Sequence, residues 1–282
     1  MTMFALVHSP SVGPATWTAV ADRLRDAGHE AVVPSLLTVT QAGAPYWPRV
    51  VAAVRSGLAG TGQAVPVVLV PHSNAGLFVP VLARDLGRPV ACAIFADASV
   101  PSNEGATPVV GDDFLPFLRG LADRDGLLPR WTDWWTEDDV APMLPDPAIR
   151  RAITEEQPLL PMDYYLEPIP APAGWDHLRC CYLQFSQAYH GQAAEARRRG
   201  WPVRHVPGEH LHQVVDPDAV TRTLLELVSG ATGPRRDLPT RPVRSGLTPR
   251  CAEHHVRAQR GDVTRSQFGQ EPVPQLVALR GR

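Results

Sequence analysis

The chain has 282 residues, a formal net charge of −2, and 44% hydrophobic against 20% charged residues. This is enough apolar material for a large core and excludes global disorder, while the near-neutral balance offers no overall field to a polyanion, so nucleic acid is not an expected partner. Every basic residue is Arg and none is Lys, a bias that fits a GC-rich genome and carries no functional reading of its own.

Met1-Thr2-Met3-Phe4 runs straight into an apolar stretch without a basic leader, so no secretory signal is expected. No apolar run approaches the ~20 residues that span a bilayer, and no membrane association is expected. Cys92, Cys180, Cys181 and Cys251 lack metal-ligand spacing; the first three read as core residues of a reducing cytoplasm, and no metal or cofactor is expected.

Short apolar runs alternate with helical periods, which predicts an α/β fold with a mostly parallel sheet and helices on both faces. Phe4–Val7 is a strand of the doubly covered kind, broken at His8-Ser9-Pro10. Trp17, Val20, Ala21 and Leu24 then repeat at helical spacing up to Gly28. Ala31–Pro34 is a second strand, Trp47, Val51, Val54 and Leu58 mark a second helix, and Pro66–Val70 is the third and most apolar strand.

Pro71-His72-Ser73-Asn74-Ala75-Gly76 follows that strand, with Leu77, Val81 and Leu82 at helical spacing beyond it. A serine at a tight strand-to-helix turn is held with its hydroxyl projecting above the sheet, so Ser73 is the candidate nucleophile. The segment departs from G-x-S-x-G by carrying Pro71 and Ala75 at the glycine positions. The competing reading of Ser73 is a helix cap.

A serine hydroxyl needs a general base, and the base needs an orienting acid. After a late strand at Val203–Val206, Pro207-Gly208-Glu209-His210-Leu211-His212 precedes the helix of Val220, Leu224 and Leu227. Two histidines compete there; His210, directly after the turn, is the expected base, and His212 then packs or contacts substrate. The strand Cys181–Phe185 is followed by Ser186-Gln187-Ala188, with no acid. Asp97, after the strand Ala93–Ala96, is therefore the expected acid, with Glu209 a weaker rival beside the histidine and an Asx-type turn the alternative role for Asp97.

Phe4–His8, Gly13-Pro14, Trp17, His72-Ser73, Asp97 and His210 together resemble the α/β-hydrolase superfamily, in particular its small esterase, lactonase and hydroxynitrile-lyase-like branch, over about the first 230 residues. The resemblance implies a core of residues 1–100 and 176–230 with an inserted helical cap over 101–175. It also implies an oxyanion hole of two backbone N–H groups, one from Asn74 and one from the loop after the first strand. The second position falls on Pro10, which has no N–H, a loss worth about 3 kcal/mol of transition-state stabilisation unless a hydroxyl or N–H of Ser9 or Ser11 compensates.

The 101–175 segment carries Trp131, Trp134 and Trp135, expected on one helix face, and many prolines. These rings either fasten a cap to the core or bind a flat or bulky acyl group. Residues 231–282, rich in Arg and Pro and including Cys251 and His254-His255, read as a flexible tail with no plausible metal set. The expected activity is cleavage of an ester or thioester through a Ser73 acyl-enzyme, with a small-molecule substrate that a carrier protein can present. Two alternatives stand beside it: transfer of an aromatic acyl group to an alcohol, as in bacterial natural-product pathways, and a lyase or small-molecule-binding relative without an acyl-enzyme.

Overall fold

The computed structural model describes residues 1–62 and 65–231. The expected tail, with Cys251 and His254-His255, lies outside the described residues apart from Ala231.

In chain order the elements are β1 (Met3–Val7), α1 (Ala15–Asp26), β2 (Glu30–Val32), α2 (Trp47–Gly57), β3 (Val67–Ser73), α3 (Val79–Asp85) and β4 (Val90–Ala98). Next come β5 (Gly105–Pro108), α4 (Leu115–Leu121), α5 (Glu137–Met143), α6 (Pro147–Glu156), α7 (Met162–Leu166) and β6 (Pro168–Ala171). The chain then returns through β7 (Cys180–Gln184), α8 (His190–Arg198), β8 (Val203–His205), α9 (His212–Val215) and α10 (Pro217–Ala231).

Six strands form one sheet in the order β2-β1-β3-β4-β7-β8, and every neighbouring pair is parallel. The period of two along each strand explains why both faces are covered. On β1, Met3, Ala5 and Val7 face a core that includes Val50 and Val54 of α2, Val81 and Leu82 of α3, and Ala193 and Ala196 of α8. Phe4 and Leu6 face the opposite core, with Trp17 and Leu24 of α1 and Val220 and Leu224 of α10. The α/β fold expected from the alternating runs is thus the observed one.

Between β4 and β7 the insertion is not purely helical. Its two ends pair as an antiparallel ribbon, β5 with β6, from Gly105↔Ala171 to Pro108↔Pro168. Prolines at 108, 168 and 170 hid these strands, since proline is tolerated in a sheet only where no ladder N–H is needed, as on so short a ribbon. Trp131 and Trp134 sit on a single 3-10 turn, with Trp135 the extended residue that follows it, rather than on an amphipathic helix. The insertion is tied to the core at α1, where Glu156 of α6 accepts the Ala15 N–H at 2.9 Å. Gly13 makes that approach possible, because a Cβ there would collide with the Glu156 side chain.

Candidate active site

The carboxyl ends of β1, β3, β4 and β7 converge with the loop before α9, the usual place for a site in an open parallel sheet. Ser73 ends β3 with φ 58° and ψ −137°, followed by a 3-10 turn from Asn74 to Phe78. Among the described non-glycine residues only Ser73 and Asp97 (φ 42°) have positive φ. Each such conformation costs of order 1–3 kcal/mol and is held only by its surroundings. Gly76 allows the turn to press on β4: a Cβ there would collide with the Ser99 carbonyl oxygen and stand 3.1 Å from Phe95 and 3.2 Å from Ala98.

Asp97 lies inside β4 rather than in a turn after it. The β3–β4 register passes from His72↔Ala96 to Ser73↔Ala98, so Asp97 is the extra residue of a bulge, a device that re-aims a side chain at a strand end. Its fully buried carboxylate is saturated with donors. Oδ1 accepts the N–H groups of Phe185 (2.9 Å) and Ser186 (3.1 Å), and Oδ2 accepts the Ser186 hydroxyl (2.6 Å) and His210 Nδ1–H (2.9 Å). Four donors compensate the desolvation of a buried anion. The carboxylate is acceptor-only, so the His210 proton sits on Nδ1 and its Nε2 lone pair is available as a base.

His210 is held on three further sides. His72 donates from Nε2 to the His210 carbonyl at 2.8 Å, and its ring lies 4.4 Å from the His210 ring. Burial, and then the neighbouring His210, pushes the His72 imidazole well below its ordinary range, so it remains a neutral donor. Trp131 approaches His210 at 6.1 Å. Tyr189 stacks on it at 4.6 Å with the ring planes 3° apart, and the Tyr189 hydroxyl lies 3.2 Å from Ser73 Oγ. Sequence reasoning missed Tyr189. It stands in a short turn after β7 with no motif around it, and only the sheet order brings it to Ser73.

His8, Ser9 and Ser11 enter from β1. Leu36 N–H donates to His8 Nε2 (2.9 Å), so Nδ1–H donates to the Ser9 carbonyl (2.8 Å); burial lowers the His8 pKa to about 4. The Ser9 hydroxyl donates to Asn74 Oδ1 at 2.7 Å, Ser11 N–H donates to Ser9 Oγ at 3.2 Å, and Ser11 Oγ lies 2.9 Å from the Tyr165 hydroxyl. The Ser9 hydroxyl proton and the Ser11 N–H, both expected as substitutes for the Pro10 N–H, are therefore already committed within the loop.

Ser9, Ser11, Val12, His72, Ser73, Trp131, His210 and Leu211 enclose a cavity of about 20 Å³, room for roughly one water molecule. Of the three tryptophans only Trp131 borders it. Trp134 is buried, donates its indole N–H to the Pro129 carbonyl at 2.9 Å and packs on Tyr165, while Trp135 stacks on Phe117 and faces a separate groove between α5 and α6. The ring contacts of both lie within the segment between β4 and β7. His212 is also outside the cavity lining: as the first residue of α9 it lies 5.9 Å from the Phe185 ring and against Gly208. Glu209 is exposed, and the carboxylate on His210 is that of Asp97. Among the described residues no group of three His, Cys, Asp or Glu is placed to hold a metal ion, and no helix is long and apolar enough to cross a membrane.

No protein-family model and no curated protein matches the chain. Solved structures do. An extracellular α/β-hydrolase from a Paenibacillus species, described as sharing structural and functional homology with tobacco salicylic acid binding protein 2, superposes with a TM-score of 0.64 at 15% identity, over 80% of this chain and 99% of that one. A pyrethroid hydrolase matches with a TM-score of 0.60 at 17% identity, over 82% and 99% of the two chains. A methylesterase from Arabidopsis gives 0.55 at 17% identity, over 82% and 100%. The sheet order, the strained turn at Ser73 and these superpositions establish that the chain has the α/β-hydrolase fold.

Proposed function

We propose that this chain is a serine-dependent enzyme that cleaves an ester or thioester through an acyl-enzyme on Ser73. The observation that carries this reading is the convergence of a positive-φ serine at the strand-to-helix turn with a histidine whose Nδ1–H is fixed on a buried carboxylate. Both Ser73 and His210 border the same small cavity. In the reaction His210 Nε2 takes the Ser73 proton as Oγ attacks the carbonyl carbon, and the Asn74 N–H receives part of the charge that develops on the carbonyl oxygen. Collapse expels the alcohol or thiol, protonated by His210, and leaves the acyl group on Ser73. Water or an acceptor alcohol, deprotonated by His210, then attacks the acyl carbon and releases Ser73. The names of the structural neighbours, a pyrethroid hydrolase and a methylesterase, support ester cleavage as the chemistry.

A fluorophosphonate probe with intact-mass detection tests the reading. One adduct on Ser73, absent from Ser73→Ala, is expected. An unlabelled wild-type protein would overturn the acyl-enzyme and favour a non-acylating lyase or binding relative, the reading that the missing Pro10 N–H supports. With labelled protein, a panel of aryl esters and thioesters with and without alcohols separates hydrolysis, which yields free acid, from transfer, which yields a new ester.

A further inference from the structure

The loop after β1 has few protons left for the cavity. Pro10 has no N–H, Ser11 N–H and the Ser9 hydroxyl are engaged as described, and Val12 N–H donates to the Ser9 carbonyl at 3.1 Å. Of the loop's two serine hydroxyls, the exception is that of Ser11. Ser11 is 6% exposed and Tyr165, on α7 of the insertion, is 4% exposed, and among the described residues each hydroxyl has the other as its partner. A buried phenol O–H without an acceptor is costly. If Ser11 donated to Tyr165, the phenol proton would be orphaned. With Tyr165 donating to Ser11 Oγ, the Ser11 proton is free to point elsewhere, and Ser11 borders the cavity that Ser73 borders.

We propose that the Ser11 hydroxyl, oriented by Tyr165, is the second oxyanion donor of this site and replaces the backbone N–H that Pro10 lacks. The inference rests on the Ser73 acyl-enzyme reading. The cavity holds about one oxygen-sized group, so a carbonyl oxygen beside Ser73 lies within the small space that Ser11 also lines. As the carbonyl becomes tetrahedral its oxygen gains negative charge; Ser11 contributes a hydrogen bond and keeps its proton throughout. Because Tyr165 belongs to the segment between β4 and β7, the oxyanion site is complete only with that segment seated on the core.

The test measures the second-order rate of fluorophosphonate labelling, and kcat and KM on an aryl ester, for wild type, Ser11→Ala, Ser11→Thr and Tyr165→Phe, with thermal melts as the folding control. Loss of an oxyanion donor lowers kcat by roughly 10²–10³-fold, so Ser11→Ala falls by that factor with KM little changed. Ser11→Thr, which keeps the hydroxyl, recovers to within about tenfold of wild type, and Tyr165→Phe lies between. Folded Ser11→Ala at the wild-type labelling rate overturns the proposal, and Tyr165→Phe at that rate removes Tyr165 from it. If Ser11→Ala does not fold, Ser11→Thr and Tyr165→Phe decide, since equal rates in all three proteins contradict a hydroxyl that Tyr165 must orient. A wild-type protein that takes no label overturns the acyl-enzyme as well, whereas a labelled wild type with an equally fast Ser11→Ala overturns this inference alone.

Discussion

Asp97→Asn is the sharpest probe of the site, because the contacts of each carboxylate oxygen dictate which way the amide turns. Oδ1 accepts two backbone N–H groups, from Phe185 and Ser186, and backbone donors cannot be re-tasked. The amide oxygen must stay there, which turns the NH₂ towards Ser186 Oγ and His210 Nδ1. An NH₂ can only donate, so His210 Nδ1 must become the acceptor and the ring proton moves to Nε2, the atom that takes the Ser73 proton in the proposed reaction. A base in the wrong tautomer costs roughly 10⁴-fold in serine hydrolases, equivalent to about 5.5 kcal/mol in the barrier. The fold loses much less: two of four hydrogen bonds persist unchanged, so a penalty of about 2 kcal/mol, or roughly 4–8 °C in Tm, is expected. Labelling kinetics at saturating probe, alongside a thermal melt, measure both. An Asp97→Asn variant that labels within about tenfold of wild type would refute the assignment of Asp97 as the group that sets the His210 tautomer.

Tyr189→Phe keeps the ring parallel to His210 but removes the hydroxyl 3.2 Å from Ser73 Oγ; a fall of about tenfold in labelling rate is expected for one lost hydrogen bond, and an unchanged rate would limit Tyr189 to packing. Acid should also destabilise the fold through His8. With its pKa lowered from 6.5 to about 4 by burial, His8 stays neutral in the folded chain between these two values while the unfolded chain takes up a proton. Stability is therefore full above about pH 6.5 and falls as the pH drops to about 4, by about 3 kcal/mol for His8, with buried His72 acting in the same direction. A Tm that is flat from about pH 7.5 to about pH 4.5, or a His8→Gln variant with the same slope as wild type, would contradict this.

The parts of the candidate site that could be read from sequence are those set by local rules. Ser73 announces itself through an apolar strand, a tight turn and small residues before a helix, and Asp97 through the lack of any acid at Ser186-Gln187-Ala188. What could not be read depends on contacts between distant segments. The bulge at Asp97 exists because β4 must pair with β3 on both sides of the strained turn, and Tyr189 reaches Ser73 only because β7 lies beside β4, which lies beside β3. Spacing alone also misjudged the tryptophans. Trp134 and Trp135 are adjacent in sequence, yet a single 3-10 turn sends them to different surroundings and leaves Trp131 as the ring beside His210.

The position of Asp97 follows from the same sheet geometry. Strands β4 and β7 are in register at Ala96↔Leu183, so the residues just beyond that pair, Asp97 on one strand and Phe185-Ser186 on the other, face a common point. The Ser186 hydroxyl already lies 2.6 Å from the carboxylate oxygen that binds His210. A carboxylate on either strand can thus serve the same imidazole, provided the other strand supplies donors to it. This predicts that Ser186→Asp rescues Asp97→Asn. In the double variant the amide oxygen at position 97 keeps the two backbone N–H groups, and the amide NH₂ donates to the carboxylate introduced at position 186. That carboxylate accepts His210 Nδ1–H once the ring shifts off the amide NH₂ towards position 186, and the productive tautomer is restored. Since the tautomer accounts for most of the ~10⁴-fold loss, a recovery of at least about 10²-fold in labelling rate over Asp97→Asn is expected. Ser186→Asp alone should do the opposite, because two carboxylates about 3 Å apart in a buried site cannot both ionise. A double variant no faster than Asp97→Asn would mean that the bulged backbone at Asp97, and not merely a carboxylate at that point in space, is what the histidine requires.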